Sequence, residues 1–328
     1  SPTPTPTSRP WPTPASSTYA TLDATLRVDD QLELLRRIGT KAVVVPAGGG
    51  GALGEAARRL GIARMTMTTD AAEAGAFDLA LAEPTASLDA PPRLGAECAY
   101  VTATSGTTGR PKLATHGHRQ IMITSLALGA RFAMTPADTS AHLTPLHLGG
   151  GLRTGLLLAL IHGASVRCLP VGGAEAFVAA VEAGEVTYTS ASFAIMREVL
   201  RCVRDRGGAG RGRLRFIRVA SGRMESREFE QLEGAFGAPA ITGLGTTETG
   251  IVLHQRLPPA PRRPGSVGDP VASEIRIVGS DGRDAAPGDV GELLVRGPQV
   301  FDGYVDDPAL NAAAFADGWF RTGDLGRR

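Results

Sequence analysis

Three observations predict an α/β fold, parallel sheets flanked by helices, for this 328-residue sequence. Short β-branched runs alternate with longer stretches whose apolar residues recur at helical spacing, and the alternation continues from about Leu22 to Pro264. Beyond Pro264 the text changes to period-2 runs broken by Asp-Gly and Pro-Gly turns, which predicts a small β-rich subdomain. Strands that alternate with helices are joined by crossovers, and crossovers make the sheet mostly parallel.

The elements follow in order. Residues 1–21 open with "SPTPTPTSRPWPTPASS", where proline fixes φ and donates no hydrogen bond, so an extended linker is expected. Residues 22–263 form the expected α/β core. In it "DDQLELLRRIG" reads as a helix, "KAVVVPA" as a strand, "GALGEAARRLG" as a helix and "ARMTMTT" as a strand. Further on, "HRQIMITSLALGARF", "AEAFVAAVEAG", "SFAIMREVLRCVRDRG" and "SREFEQLEGAFG" carry helical periodicity. Between them "ASVRCLP", "VTYTSA", "LRFIRVA" and "PAITGLG" read as strands. Residues 264–328 are the expected β-rich subdomain.

Composition narrows the function. Lys plus Arg (34) nearly balances Asp plus Glu (33), which argues against a nucleic-acid or membrane-binding surface. Cys98, Cys168 and Cys202 are too few and too scattered for a disulfide framework or a zinc site, and they fit a reduced cytoplasm. The longest apolar run, "GLLLALI", falls far short of the roughly 20 residues that span a bilayer. No basic-then-apolar leader opens the chain.

Two glycine-rich stretches compete as phosphate sites. Gly49 to Gly54 fits G-x-G-x-x-G between a strand and a helix, with Asp70 after the next strand, the context of an NAD-linked dehydrogenase. Glycine is abundant here (42 residues), so a flexible turn explains it as well, and Asp70 serves equally as a helix cap. The stretch "TSGTTGRPK", Thr104 to Lys112, is chemically denser. Thr104, Ser105, Thr107 and Thr108 surround Gly106 and Gly109, and Lys112 adds a point charge. Hydroxyl and amide donors on a tightly curled backbone suit phosphate oxygens. The Gly-Lys-Ser/Thr ending of a Walker A loop is missing.

"TSGTTGRPK" resembles the phosphate-binding signature of the adenylate-forming superfamily: acyl-CoA synthetases, aryl-acid ligases, luciferases and adenylation domains. The segments "FGAPAITGLGTTETG", "GSVGDPV", "GELLVRGPQVFDGY" and "DGWFRTGDLG" resemble its later motifs in order, and "LTPLHLGGGLRTGLLLALIHGASV" resembles its acyl-pocket segment. The resemblance covers roughly Leu22 to Gly326. It implies activation of a carboxylic acid by ATP to an acyl-AMP, then transfer to the thiol of CoA or of a carrier protein's phosphopantetheine. Such chemistry rests on positioning and phosphate-charge stabilisation.

The resemblance assigns roles residue by residue. Thr104, Ser105, Gly106, Thr107, Thr108, Gly109 and Lys112 would cradle phosphates. Ser221, Gly222 and Arg223 would line the adenine, with Gly243, Leu244, Gly245 and Thr246 beside them. Thr247 would contact the α-phosphate, Glu248 would hold Mg²⁺, and Asp324 would accept both ribose hydroxyls. His147, Leu148, Gly149, Gly150, Gly245 and Thr249 would border the acyl substrate; His116 and His118 carry a weaker claim. No carboxylate stands in the pocket segment to hold an α-amine, so an aliphatic, alicyclic or aryl acid is expected rather than an amino acid.

Departures from the pattern accompany the match. Leu244 stands where an aromatic residue stacks on adenine in the family. Relative to the family pattern the chain is expected to be shortened at both ends, lacking the small C-terminal lid domain and its lysine. A loading domain of a polyketide or nonribosomal peptide synthase is one expectation; a degenerate domain with a docking role is the other.

Overall fold

The computed structural model describes residues 18–69, 76–83, 98–104, 111–305 and 307–328. Its described residues fall into two compact units: those up to Ala20 with Ala24–Val101, and Thr21–Asp23 with Thr102–Arg328.

In the first unit the helix Val28–Ile38 buries Leu32, Leu34, Leu35 and Ile38 along one stripe. It stops at Gly39, whose left-handed backbone lets its N–H reach the Arg36 carbonyl. The strands Ala42–Pro46 and Ala63–Thr69 pair in parallel around the helix Gly51–Leu60, as their β-branched and helical patterns predict. The strand Phe77–Glu83 adds an antiparallel edge that the sequence analysis did not anticipate. Thr18 to Ala20, placed by composition in the linker, are paired: Tyr19 and Ala20 lie parallel to Tyr100 and Val101, and Thr18 Oγ1 donates to the Cys98 carbonyl at 2.6 Å.

The glycines Gly49 to Gly54 do sit between a strand and a helix, and packing accounts for two of them. A Cβ on Gly50 would stand 2.5 Å from the Val45 side chain, and one on Gly54 only 1.8 Å from the Gly49 carbonyl oxygen. Asp70 lies outside the described residues.

The second unit is organised by a seven-stranded sheet in the order Asp269–Pro270, Gly250–His254, Ala240–Thr246, Phe216–Ala220, Tyr188–Ser192, Thr139–His142, Ser165–Cys168. The last five are parallel neighbours; the first two join antiparallel. Alternation along Phe216–Ala220 sends Ile217 and Val219 into one core, with Phe177, Val181, Val199, Leu232 and Phe236 from the covering helices. Phe216 faces the opposite core with Phe132, Leu128, Leu158, Tyr188 and Ile241. All five residues of this strand are buried, the mark of a central strand covered on both faces.

The C-terminal region is β-rich as expected, with one short helix. Glu274–Val278, Gly291–Arg296, Trp319–Gly326 and Phe315–Ala316 form an antiparallel sheet, and the helix Pro308–Ala314 starts on an Asp307 cap. Among the described residues no helix is long and apolar enough to cross a membrane.

Candidate active site

The carboxyl ends of parallel strands are where an open α/β sheet binds ligands. Here the strands Phe216–Ala220 and Ala240–Thr246 end at a cleft of about 1340 Å³. Ser221, Gly222 and Arg223 follow the first strand; Gly243, Leu244, Gly245, Thr246 and Thr247 end the second; all eight line the cleft. Asp324 lines it from the strand Trp319–Gly326, and Leu148, Gly149 and Gly150 from the segment that resembles an acyl pocket. Residues far apart in sequence thus meet at one place.

Local backbone demands explain the glycines here. Ser221 adopts a left-handed φ of 58°, uncommon for a residue with a Cβ, and strain of this kind concentrates at functional sites. Gly245 lies so near the next strand that a Cβ would stand 2.2 Å from the Gly250 carbonyl oxygen. Gly149 has open space around it and Gly150 meets only Ser221 Oγ at 3.8 Å, whereas Gly151 is packed against the Pro145 carbonyl.

The turn after Thr246 is held by its own hydroxyls. Thr246 Oγ1 accepts from the Glu248 and Thr249 amides at 3.2 and 3.3 Å. Thr249 is fully buried and donates to the Gly250 carbonyl at 3.1 Å, so it braces the turn rather than lining the cleft. Glu248 is half-buried, and its Oε1 accepts from the Tyr304 hydroxyl at 2.8 Å. Burial and that hydrogen bond push the Tyr304 phenol well up. Lys112 Nζ stands 5.4 Å over the Tyr304 ring, a cation–π distance. Tyr304 reaches this place because Gly303–Tyr304 pairs antiparallel with Thr115 and Ala114 of the strand Lys112–Gly117. Thr104 ends the strand Cys98–Thr104. Ser105, Gly106, Thr107, Thr108 and Gly109 lie outside the described residues.

Asp324 is half-buried, and its carboxyl is held above the usual range by burial first and by the Glu248 charge second. Two carboxylates that feel one another beside a polar cleft welcome a cation or hydroxyl donors. His147 is placed elsewhere: its Nε2 lies 3.6 Å from Asp23 Oδ2, and it is not part of the cleft lining. His116 is buried, with Arg153 Nη2 2.6 Å from its Nε2.

Arg153 and Arg218, absent from the sequence analysis, form the buried floor of the cleft. Arg153 comes from a π-helical stretch, Gly151–Leu157, a distortion common at functional sites. Its Nη2 donates to the Thr247 carbonyl at 3.1 Å. Arg218 stands opposite Ser190 across the sheet and donates to Ser190 Oγ at 2.9 Å, Thr154 Oγ1 at 3.2 Å and His254 Nε2 at 3.0 Å. His254 keeps its own proton on Nδ1, within 2.8 Å of the Gln255 carbonyl, because a carbonyl can only accept. Burial, then Arg218, push its imidazole down to about 3. One signal could have found Arg218: a charge in the middle of "FIRVA", a run otherwise fit for a strand buried on both faces.

A family model described as "AMP-binding enzyme" matches residues 14–305. An oxalate–CoA ligase of Arabidopsis thaliana is 32% identical, over 95% of this chain and 62% of its own length. A sulfoacetate–CoA ligase of Cupriavidus necator is 31% identical, over 90% and 58%. The chain thus spans about three fifths of these relatives. In fold it matches ATP-bound MatB from Rhodopseudomonas palustris, with a TM-score of 0.78 at 24% identity, over 94% of this chain and 61% of that one. The cleft at the strand ends and the family match agree, and this chain belongs to the AMP-binding enzymes.

Proposed function

We propose that the cleft activates a small, non-amino-acid carboxylic acid with ATP and passes it to a thiol. A carboxylate oxygen attacks the α-phosphorus, the bond to pyrophosphate breaks, and an acyl-AMP results; a thiol sulfur then takes the acyl group and AMP leaves. The observation that carries the reading is the meeting of Ser221–Arg223, Gly243–Thr247 and Asp324 in one cleft. Asp324 would accept from both ribose hydroxyls, Ser221 to Arg223 and Gly243 to Gly245 would border the adenine, and Thr246 and Thr247 would face the α-phosphate. Lys112, Thr104 and the residues 105–109 between them would complete the phosphate end.

Glu248 would hold Mg²⁺, a hard cation that offsets phosphate charge. Its carboxylate, with Asp324 within electrostatic reach, is the oxygen chemistry that ion takes. Among the described residues no three His, Cys, Asp or Glu side chains gather around one point. The remaining ligands would therefore be phosphate oxygens and water, the usual pattern for magnesium.

The acceptor is taken to be CoA, as the names of the relatives support; phosphopantetheine on a carrier protein, with a synthase-loading role, is the other thiol of this class. The reading sets the chain in the cytoplasm and keeps 264–328 as a β-rich subdomain. Gly49–Gly54 is not carried forward as an NAD site, since the family match covers it with a different chemistry.

Leu244 favours one other reading. It packs against Val252, Ile277, Leu293 and Val295 where the family stacks an aromatic on adenine, as a degenerate domain with a docking role would allow. Calorimetric titration with AMP and with a non-hydrolysable acyl-AMP mimic separates the two. Saturable binding, tighter for the mimic than for AMP, is expected; no heat from either would leave the degenerate reading standing.

A further inference from the structure

Arg218 is 1% exposed, and among the described residues no carboxylate pairs with it. Its hydrogen-bond partners are a serine, a threonine and a neutral histidine, and its Nη2 has no partner among the described residues. Even with burial lowering it to about 10, the guanidinium stays charged at neutral pH. A buried charge without a counter-ion is costly, and removing or matching the charge is the usual remedy. This chain does neither. Asp138 shows the contrast: this buried carboxylate is matched by the partly exposed Arg215 at 2.6 Å.

Arg218 is nonetheless part of the cleft lining, together with Arg153 and Thr154 on the π-helical stretch. Gly149 and Gly150 leave the adjoining wall open. A guanidinium offers five donors in a planar fork and suits a planar or tetrahedral oxyanion.

We propose that Arg218 is the seat of a second anionic group on the acyl substrate, so that the preferred acid is a short dianion such as a dicarboxylate or a sulfonated carboxylate. The ligand supplies the counter-ion that the protein withholds. One carboxylate goes to the adenylation chemistry; the other anionic group pairs with Arg218 on the floor, with the second guanidinium of Arg153 nearby. This rests on reading the cleft as an acyl-adenylation site. It makes Arg218 a specificity residue that touches substrate remote from the reacting carbon.

Isothermal titration with AMP present tests the idea in matched pairs: malonate against isovalerate, and sulfoacetate against 3,3-dimethylbutanoate. Each pair keeps shape and exchanges an anionic group for methyls. The wild-type chain is expected to bind the dianions at least tenfold more tightly. Arg218→Met should erase or invert the preference, Arg218→Lys should keep part of it, and AMP affinity should stay within about twofold in both. If a variant does not fold, the wild-type ratio and its thermal shift with each acid decide alone. Equal binding within each pair, or an undiminished preference in Arg218→Met, overturns the proposal while AMP binding leaves the adenylation reading intact. Failure of AMP to bind, with an Arg218-dependent preference present, would strike the adenylation reading instead; failure of both ligands sinks both.

Discussion

At the rim of the cleft Asp324 stands half-buried, and Glu248, within electrostatic reach of it, stands half-buried just beyond the lining with Tyr304 and Lys112 beside it. On its floor Arg153 and Arg218 are buried among neutral histidines and hydroxyls. The rim carries negative charge near water and recruits its partners from loops and strand ends. The floor carries positive charge out of water, fixed on a central strand and a π-helical stretch. On the proposed reading the difference is one of purpose. A rim of carboxylates suits a cofactor-like nucleotide common to many enzymes, whereas a buried cation suits one feature of one substrate class.

The floor holds only while His254 and His116 stay neutral, which gives the largest expected effect. His254 spends its proton on Gln255 and its lone pair on Arg218, so a second proton would face the guanidinium N–H head-on. Its folded value near 3 lies below the ordinary one near 6.5, so the unfolded chain takes up the proton first. Stability is therefore full above about pH 6.5 and declines as pH falls toward 3. His116 is lowered in the same direction, by burial first and Arg153 second. Thermal melts from pH 7 to pH 5 should lose on the order of 10 °C. His254→Gln, which still accepts from Arg218, should flatten that slope; an unchanged slope would mean that the histidines are not the source.

The rim should respond to a single carboxylate by tens-fold in affinity. If Asp324 accepts both ribose hydroxyls, Asp324→Ala weakens AMP roughly 10- to 100-fold, the range of a charge-assisted hydrogen bond or two. The same substitution should leave 2′,3′-dideoxy-AMP nearly unaffected. Equal losses for both nucleotides would remove Asp324 from the ribose. Because its carboxyl is raised by burial and by Glu248, ionised Asp324 costs stability above its folded value, and that cost is absent at low pH. Asp324→Asn should accordingly raise Tm at pH 7 while binding AMP poorly, a trade of stability for function.

Tyr304→Phe tests how the rim is tuned and should act more weakly. It removes the donor to Glu248 and keeps the ring beneath Lys112. The Glu248 charge then falls less shielded on Asp324, whose carboxyl is already raised, so AMP binding should lose a few-fold, with the loss growing as pH falls. Titrations of both proteins at pH 5.5 and 7.5 would show the change; identical ratios at the two pH values would separate Tyr304 from the pair.

The rim was largely legible in the sequence and the floor was not, for a physical reason. Ser221, Gly222, Thr247 and Glu248 sit in short turns, and Asp324 near the end of a strand, at places whose residue types are dictated by local chemistry, so their order along the chain betrays them. Arg218 and His254 occupy ordinary strand positions, and only the pairing of Arg218 with Ser190 and of Gly243 with His254 brings them together. Most of the parallel strands and helices from 118 to 246 followed the predicted pattern, because period and burial agree there, but the strand Thr139–His142 was not anticipated. Gly151–Leu157 did not announce itself as a π-helix: glycines at 151 and 155 are needed against the Pro145 carbonyl and His142, contacts that no local rule encodes. His147 matched its motif in sequence and stands beside Asp23.

The smallest effect belongs to a guanidinium of the opposite kind. Arg296 is half exposed, pairs with Glu274 through two hydrogen bonds at 3.1 and 2.6 Å, and sits 4.5 Å over the Trp319 ring. It has the carboxylate partner that Arg218 lacks, but water already solvates both charges. Exposed pairs of this sort contribute little, and salt screens them further. Arg296→Ala should therefore shift Tm by no more than about 3 °C, less in high salt, and leave every ligand affinity unchanged. A larger shift would place the stabilisation in the Trp319 contact, which Arg296→Lys would partly retain. If Arg218→Met proved as mild as Arg296→Ala in both stability and acid preference, burial would have lost its meaning as a guide to the floor. The distinction between a guanidinium held for a ligand and one held for the surface would fall with it.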